Sequence, residues 1–467
     1  MQVPILSGIY TNDASDYRVS YPLNLEPVPI DTGLSGGYLR PADGLVLAGT
    51  GPGQDRGGIN WNGTHYRVMG TKFVSISASN VVTVIGDVGG SGQCVFTYGS
   101  TYLAIVSSLK MYYWDGTTLT QVTNIYLGNV IDAEWVDGYY MTTDGTNLVV
   151  TELNDPFTVN PLKYGSSEAD PDPIVGLLKF LNEIYAVNRY TIETFQNVGG
   201  AFFPFQRVEG AIIPRGALSR DCCCIYMDQI AFLGGAKNES PAIWIGLNGQ
   251  SQKLSTREVE LIFDNYTLAQ LSTVLIETRV SSAQNLLYVH LPDQTLVFNG
   301  IATQVLQKPV WYRLSSSLDG IGAYRGRNIV RVNDNWYIGD PSTSGQFGVF
   351  SELVSSHFGN VVGWEFGTQI LYNEGNGALF HELELVALPG RAAFGANPTI
   401  TTQYSVDGTS WSMPKSRTAG TNGQRMKRMT WFNQGFMRNW RVQRFRGTSD
   451  AHISFSRLEA RLEPLNA

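Results

Sequence analysis

Charge is scarce in this sequence, and the scarcity limits what the whole surface can bind. Lys, Arg, Asp and Glu together make up 16% of the 467 residues, and the formal net charge is −7. Tight, sequence-independent binding of nucleic acid by the whole surface needs many unopposed Lys and Arg side chains. The charge balance therefore excludes that class of protein.

Cysteine is also rare, and its arrangement excludes a disulfide framework and a zinc site. The four cysteines are Cys94 and the run Cys222, Cys223 and Cys224. Adjacent residues of a strand point to opposite faces, and the run lacks the spaced pairs that bind zinc. We expect buried free thiols in a reducing cytoplasm and no metal.

Long apolar runs are missing as well. No stretch reaches the roughly 18 apolar residues of a membrane span. Residues 1–10 have neither the basic start nor the long apolar run of a secretory signal. We expect a protein that is made in a cytoplasm and has no membrane partner.

Glycine, aromatic and apolar residues are plentiful, and they predict an all-β protein. The chain has 50 glycines, 12% aromatic residues and 43% hydrophobic residues. Aromatic side chains favour strands, and glycine favours the tight turns between them. A length of 467 residues also predicts more than one folding unit.

Residues 1–57 predict an extended N-terminal arm. Prolines recur in it and remove backbone donors that a central strand would need. Apolar residues such as Tyr21, Leu23 and Leu39 favour an ordered arm over a disordered tail. We predict that this arm packs on the C-terminal domain or on a neighbouring molecule.

Residues 58–350 predict a β-propeller-like domain. Short apolar strands alternate with turns such as Asp115-Gly116 and Asn248-Gly249. A loose unit of about 40 residues recurs, as in four-stranded propeller blades. Candidate units begin near Gly58, Ser91, Gly128, Asp172, Gly216, Leu271 and Gly320. We predict about six blades, with six or seven left open, and a long β-sandwich is the competing architecture.

Two segments depart from the repeat. Residues 256–274 carry apolar residues at three- and four-residue spacing, which predicts one or two short helices. Residues 351–467 return to strand-like segments, and we predict a β-sandwich-like basic platform domain there. Between Lys415 and Arg461 lie eleven Lys or Arg and two acids, Asp450 and Glu459.

No set of catalytic groups converges in the sequence, so we predict no enzyme, no catalytic residue and no cofactor. His290 lies in an apolar strand and is predicted to be a hydrogen-bonded core histidine. Glu382 and Glu384 share one strand face, which we interpret as solvated rather than as a glycosidase pair. The glycine-rich residues 85–92 continue into a strand, so they predict a connection between blades and not a phosphate loop.

One basic stretch near the C-terminus has the composition of a contact surface. Its cations interleave with Trp431, Phe432, Trp440 and Phe445. Arg and aromatic side chains are enriched at protein interfaces. We therefore place contact with another protein subunit ahead of DNA, and a solvated basic face remains the alternative. The candidate contact residues are Arg425, Lys427, Arg428, Arg438, Arg441, Arg444 and Arg446.

Several short stretches occur in an order and at separations that resemble a known family. They are Ser35-Gly36-Gly37-Tyr38-Leu39-Arg40 with Pro41 and Gly44, Tyr66-Arg67-Val68 with Gly70 and Lys72, residues 85–92, Ile192-Glu193-Thr194-Phe195, Tyr266-Thr267 with Leu271, and Leu287 with Val289-His290-Leu291-Pro292 and Leu296-Val297-Phe298. From about Ser35 to Val305 the chain resembles the packaged-DNA stabilisation proteins that form the tail hub, or nozzle, of short-tailed podovirus-type bacteriophages. The collinearity of these stretches makes the match specific.

This resemblance implies a structural protein of the virion tail, made in the cytoplasm of a bacterial host. It implies a propeller-like domain and a homo-oligomer, a hexameric ring below the portal and the head-to-tail adaptor proteins. Such a ring extends the DNA channel, retains packaged DNA and contacts it transiently and non-specifically. The resemblance makes the adaptor proteins, or another subunit, the expected partner of the basic stretch, because a densely basic channel would hold DNA too tightly for sliding. It also carries a tail fibre or spike and is closed by a needle or plug until ejection. The alternative is a tail-borne receptor-binding or glycan-degrading β-propeller.

Overall fold

The computed structural model describes residues 1–11, 17–29, 36–281, 284–373 and 376–465. This part of the chain consists mainly of strands, arranged as a propeller and a sandwich, which confirms the all-β prediction. Ser35, which begins the first of the family-like stretches, lies outside the described residues. Among the described helices, none is both long enough and apolar enough to cross a membrane.

The N-terminal segment supplies strands to both domains. Its strands are β1 (Gln2–Val3), β2 (Gly8–Thr11), β3 (Tyr17–Ser20), β4 (Leu25–Pro29), β5 (Gly37–Pro41) and β6 (Gly44–Thr50). Strands β2 and β3 form a hairpin, while β1, β4 and β5 join a sheet of the sandwich. Strand β6 departs from the arm interpretation, because it is the last strand of a propeller blade.

Seven antiparallel sheets in the described chain form the blades of the propeller. Blades 1 and 2 contain β7 (Asp55–Trp61), β8 (Thr64–Met69), β9 (Lys72–Ile76), β10 (Val82–Asp87), β11 (Val95–Tyr98), β12 (Leu103–Ser107), β13 (Lys110–Trp114) and β14 (Leu119–Gln121). Blades 3 and 4 contain β15 (Asp132–Val136), β16 (Tyr139–Thr143), β17 (Asn147–Glu152), β18 (Asp155–Ser166), β19 (Ile174–Phe180), β20 (Glu183–Asn188), β21 (Ile192–Asn197) and β22 (Phe205–Arg207).

The remaining blades include one with a divided first strand. Blade 5 contains β23 (Gly216–Ala217), β24 (Cys223–Tyr226), β25 (Gln229–Gly235), β26 (Ala242–Leu247) and β27 (Gln250–Lys253). Blades 6 and 7 contain β28 (Leu275–Ser281), β29 (Gln284–His290), β30 (Thr295–Asn299), β31 (Trp311–Leu314), β32 (Arg327–Val332), β33 (Asn335–Gly339) and β34 (Gln346–Ser351). The first strands of neighbouring blades contact each other around the whole ring, which is therefore closed.

The helices are short and lie between strands. Two 3-10 helices span Ile125–Leu127 and Arg220–Cys222. Helices α1 (Arg257–Phe263) and α2 (Leu268–Leu271) connect blades 5 and 6, which confirms the predicted helical interruption. Each begins at a threonine whose side chain accepts a hydrogen bond from the first turn. Helix α3 (Gly300–Leu306) lies within blade 6.

The count of seven blades corrects the expectation of about six. In blade 7 the contiguous chain supplies only β32, β33 and β34, and β6 supplies the fourth strand from the other end of the chain. Leu45 of β6 is fully buried against this blade. A local sequence pattern does not indicate that residues 44–50 pair with a strand about 300 residues later in the chain.

Two further sheets form the predicted C-terminal sandwich. Its own strands are β35 (Gly363–Gly367), β36 (Leu371–Tyr372), β37 (Gly377–Ala387), β38 (Thr399–Ser405), β39 (Lys415–Thr418), β40 (Met429–Phe432), β41 (Phe436–Met437), β42 (Trp440–Thr448) and β43 (Phe455–Leu465). One sheet has the order β4-β5-β43-β37-β40, with β1 on β43 and β41 on β37. The other has the order β35-β42-β38-β39, with β36 on β42. Their apolar inner faces enclose one core.

Two arm residues fix the sandwich beside blade 6. Leu23 forms β-bridges with both Arg313 of β31 and Glu365 of β35. The Asn24 amide donates to the carbonyls of Ser315 at 2.8 Å and Gly363 at 2.7 Å. Its Oδ1 accepts the Ser315 N–H at 3.0 Å. The arm therefore joins the two domains through buried hydrogen bonds.

Candidate functional site

The seven predicted contact residues do not form one patch. Arg428 precedes β40, which pairs with residues 382–385 of β37, whereas Arg438 follows β41, which pairs with residues 378–379. The three remaining arginines, Arg441, Arg444 and Arg446, lie on β42 in the opposite sheet. The basic stretch is thus divided among separate places on the sandwich.

Arg441 is part of the core, and its prediction as a surface contact is wrong. It is 0% exposed, because strand alternation turns it inward. Its guanidinium donates to the Gln434 carbonyl at 2.7 Å and to Gln443 Oε1 at 2.7 and 3.1 Å. The rings of Phe380 and Tyr404 lie 4.1 and 3.8 Å from it. Burial lowers the pKa of Arg441 to about 9.

Two neighbouring arginines of β42 are held by side chains of their own sheet. The Arg444 guanidinium lies 3.9 Å from the centre of the Trp411 ring. Arg446 forms an ion pair with Glu365. A cation that is already stacked or paired gives up part of that contact before it binds a partner, so neither is a free anion-binding group.

Glu382 and Glu384, the predicted pair on one strand face, lie beside Arg428. Arg428 Nε donates to Glu384 Oε1 at 2.7 Å, and Arg428 Nη2 lies 3.8 Å from Glu382 Oε1. The hydrogen bond from Arg428 lowers the pKa of Glu384. Glycoside cleavage needs one protonated carboxyl as acid, and this carboxylate is held ionised instead. Both carboxylates belong to a half-buried, ion-paired face, and the interpretation as a solvated, non-catalytic face stays a prediction.

Three of the predicted residues are exposed and free. Arg425, Lys427 and Arg438 have no side-chain partner among the residues that the structure describes. Arg425 and Lys427 flank Met426, which is 93% exposed. These cations can bind an acidic partner without first breaking an ion pair.

Two loops place Arg425 and Lys427 beside exposed apolar residues. The loop that contains Arg425 touches the loop after β37, where the Gly423 N–H donates to the Gly390 carbonyl at 3.1 Å. Phe394, in the second loop, is 96% exposed. We name the set Leu388, Phe394, Arg425, Met426 and Lys427 the sandwich tip. Sequence reasoning found its charge but missed its apolar members.

One cleft lies between the end of blade 7 and the sandwich. It has a volume of about 570 Å³ and is lined by Ser355, Arg391, Asp450 and His452, among others. Ser355 Oγ and His452 Nδ1 are 2.6 Å apart, and burial lowers the pKa of this histidine. In the described part of the chain no carboxylate hydrogen-bonds His452, so the pair lacks the third member of a hydrolase triad.

His290 is a hydrogen-bonded core residue, as predicted. It is buried, with Nδ1 3.0 Å from Thr295 Oγ1 and Nε2 2.8 Å from Glu277 Oε1. Among the described residues, no three His, Cys, Asp or Glu are placed to hold a metal ion. The four cysteines are free thiols.

Polar side chains close one end of the propeller axis. Arg220 of blade 5 donates to the Ile131 carbonyl before blade 3 at 2.6 Å and to the Gln93 carbonyl before blade 2. The Gln93 amide donates to Asn328 of blade 7, which donates to Asp55 of blade 1 at 2.6 Å. We name this network the axial plug. No pattern in the sequence analysis indicated this network.

Two family models match the chain in succession. Residues 1–355 match the model described as "Bacteriophage P22 Gp10, beta-propeller", and residues 363–463 match "Bacteriophage P22 Gp10, beta-sandwich". A curated relative, the tail hub protein gp10 of Salmonella phage P22, is 28% identical over 366 residues. The match covers 73% of this chain and 75% of the relative.

The solved structures to which this chain is similar show a weaker likeness. The Pan2 WD40 domain of Neurospora crassa has 10% identity and a TM-score of 0.41, covering 64% of this chain and 89% of that one. Hsv2 of Kluyveromyces lactis has 10% identity and a TM-score of 0.38, covering 69% of this chain and 95% of that one.

Proposed function

This chain belongs to the bacteriophage P22 Gp10 family, and on that premise we propose that six copies form a ring that continues the DNA channel below the portal and adaptor proteins. The chain is a structural protein of the phage tail hub and not an enzyme. The observation that carries the proposal is that both family domains are present, in order, over residues 1–355 and 363–463.

The axial plug supports a conduit between copies and not within one. Arg220 reaches across the ring of blades to Gln93, so side chains occupy the propeller axis at that end. A duplex is wider than any gap that such a hydrogen-bonded network leaves. We propose that DNA passes through the centre of the ring of subunits, with transient, non-specific contacts to its wall.

Three parts of the chain have separate roles in this proposal. The arm, residues 1–41, ties the domains together, the propeller of residues 44–351 builds the wall, and the sandwich forms a platform. A fibre or spike and a needle or plug are the further partners, and the ring retains packaged DNA until ejection. The division keeps the predicted order of domains and moves β6 from the arm to the propeller.

Electron microscopy of defective particles tests the proposal. Capsids that carry portal and adaptor proteins but lack this protein are incubated with the purified full chain. We expect an added six-fold ring below the adaptor, together with retention of packaged DNA. A chain that stays free in solution, or mutant particles that keep their genomes and infect normally without it, would contradict the proposal.

A further inference from the structure

Charge is distributed unevenly between the two domains. Residues 363–463 contain twelve Lys or Arg and eight Asp or Glu. Residues 125–207, which include blades 3 and 4, contain eleven Asp or Glu and four Lys or Arg. The sandwich therefore has an excess of cations, and residues 125–207 have an excess of acids, of which Asp155 and Glu168 are exposed. Surfaces of opposite sign attract each other and orient an encounter.

The anionic blades also carry exposed apolar side chains. The outer strand of blade 3 is β18, and both Leu162 and Tyr164 on it are exposed. The 3-10 helix that holds Ile125 and Tyr126 contacts β18. The loop that holds the exposed Phe202 also approaches β18, because the adjacent Phe203 ring packs on Gly165. We name Ile125, Tyr126, Leu162, Tyr164 and Phe202 the rim patch.

The rim patch and the sandwich tip have complementary patterns. At the tip, Arg425 and Lys427 flank the exposed Met426. At the rim, two exposed acids lie at the two ends of β18, Asp155 at its start and Glu168 just beyond its end. Lys163, between Leu162 and Tyr164, is paired with Glu152. If the tip meets the rim, their exposed apolar side chains would be buried together, and the cations of the tip would face the acids of the rim. An apolar core with a polar rim is the usual arrangement of a protein interface.

Within one chain, the sandwich and the rim patch are attached to different sides of the ring of blades. The sandwich is attached beside blade 6 and at the end of blade 7, through Leu23, Asn24 and the cleft that Arg391 lines. Blades 3 and 4 are the farthest from blade 7 in a ring of seven. Complementary surfaces at opposite ends of a molecule generate head-to-tail association, which closes into a ring when the rotation allows it.

We propose that the sandwich tip of one copy docks on the rim patch of the next copy in the ring. The inference rests on the proposed ring and deepens it, by naming the two surfaces that meet. The contact is made by side chains and not by strand addition, because Pro156, Pro161 and the bulge between Val159 and Tyr164 interrupt the free edge of β18.

Single substitutions of exposed residues test each surface. Met426→Asp at the tip and Leu162→Asp at the rim each place an acid in an apolar centre. We expect each to weaken self-association, measured by sedimentation of the full chain, by about tenfold or more. Met413→Asp is the matched control, because Met413 is 86% exposed on the loop between β38 and β39, away from the tip. Melting curves verify that all variants fold.

A mixture of the two variants tests whether the tip of one copy binds the rim of another. The Met426→Asp chain keeps an intact rim, and the Leu162→Asp chain keeps an intact tip. Together they form one tip-to-rim junction and stop, so we expect a dimer from the mixture and monomers from each variant alone. Wild-type association by both variants, or no dimer in the mixture, overturns the docking.

The outcomes also separate this inference from the ring itself. Variants that build normal six-fold rings on adaptor-bearing capsids overturn the docking and leave the ring in place. A wild-type chain that builds no ring on those capsids overturns both. A charge exchange adds an independent result: Arg425→Glu with Lys427→Glu should be rescued by Asp155→Lys with Glu168→Lys in the partner copy, and absence of rescue contradicts the pairing.

Discussion

Arg441 shows at the residue scale how a cation can stabilise a core without an acidic partner. Its guanidinium fills the space between Phe380 and Tyr404 and donates to Gln434 and Gln443. The rings attract the charge by cation–π contact. The Gln434 carbonyl and the Gln443 side-chain oxygen accept hydrogen bonds from its N–H groups. Arginine suits this place better than lysine, since only the flat guanidinium both stacks and donates twice.

Arg441→Ala is therefore expected to unfold the sandwich more easily. The change leaves the Gln434 carbonyl unpaired and opens a cavity between two rings, which costs about 3 kcal/mol or more of unfolding free energy. Arg438→Ala, an exposed neighbour without a described partner, should change it by less than about 0.5 kcal/mol. Denaturant titration followed by tryptophan fluorescence compares the two, and equal effects would show that Arg441 carries no packing role.

Glu134 gives a pH dependence to the propeller. It lies on β15 with Asp132 two residues away, and its Oε2 accepts the Thr97 hydroxyl at 2.9 Å. Burial, and then the charge of Asp132, raise the pKa of Glu134 to about 8. Since the pKa is raised on folding, the stabilising contribution is complete below the ordinary glutamate pKa and is lost as the pH rises toward 8.

Glu134→Gln should remove that loss. The amide keeps an acceptor for Thr97 but carries no charge at any pH. The variant and the wild type should have equal stability near pH 4.5, and the variant should be increasingly the more stable of the two up to pH 8 and above. Melting temperatures across this pH range check the divergence. Glu168→Gln, which changes an exposed acid on the same side of the propeller, is the control. Its melting temperature should change with pH in the same way as that of the wild type.

At the scale of elements, closure of the ring depends on one N-terminal strand. Strand β6 pairs with β34 and is the outer strand of blade 7, whose other three strands come from residues 327–351. A terminal strand that completes the last blade fastens both ends of a propeller together. Without it, the ring would open between blade 7 and its neighbours.

Leu45→Ala should loosen this closure. Leu45 is fully buried, and truncating a buried leucine costs about 2–5 kcal/mol. Leu47→Ala on the same strand is the control, because Leu47 is 45% exposed and its loss should cost little. Hydrogen exchange of β32, β33 and β34 is the measurement. Faster exchange in Leu45→Ala alone is expected, and equal exchange in both variants would contradict closure by β6.

Elements with local causes were predictable, and elements with distant causes were not. The helices after Thr256 were predicted because their apolar spacing is a local pattern. Strand β6 was assigned to the arm because its partner β34 lies at the far end of the propeller. The basic residues were found by composition, but the burial of Arg441 depends on which strand face meets Phe380, and only the packed sandwich decides that.

At the scale of the whole molecule, a network of buried charges holds the arm against the propeller. Arg40 Nε donates to Glu26 Oε2 at 2.9 Å, and Arg279 of blade 6 pairs with Asp43. The Asn299 amide donates to Glu26 Oε1 at 3.2 Å. Because the same arm supplies β4 and β5 to the sandwich, these pairs fix one domain relative to the other. A tip-to-rim ring needs that rigidity, since a flexible joint would let the chain close at varying angles.

Asn24 is the residue where that rigidity can be tested. It has a φ of 52°, a left-handed value that asparagine and glycine tolerate better than alanine. Asn24→Gly removes three buried hydrogen bonds and leaves Ser315 and Gly363 unpaired, at a cost of about 3 kcal/mol, and Asn24→Ala adds about 1 kcal/mol of strain. We expect faster proteolysis between residues 352 and 362 in both variants, more in the alanine one. Resistance equal to the wild type would mean that Leu23 and the buried charges hold the domains without Asn24.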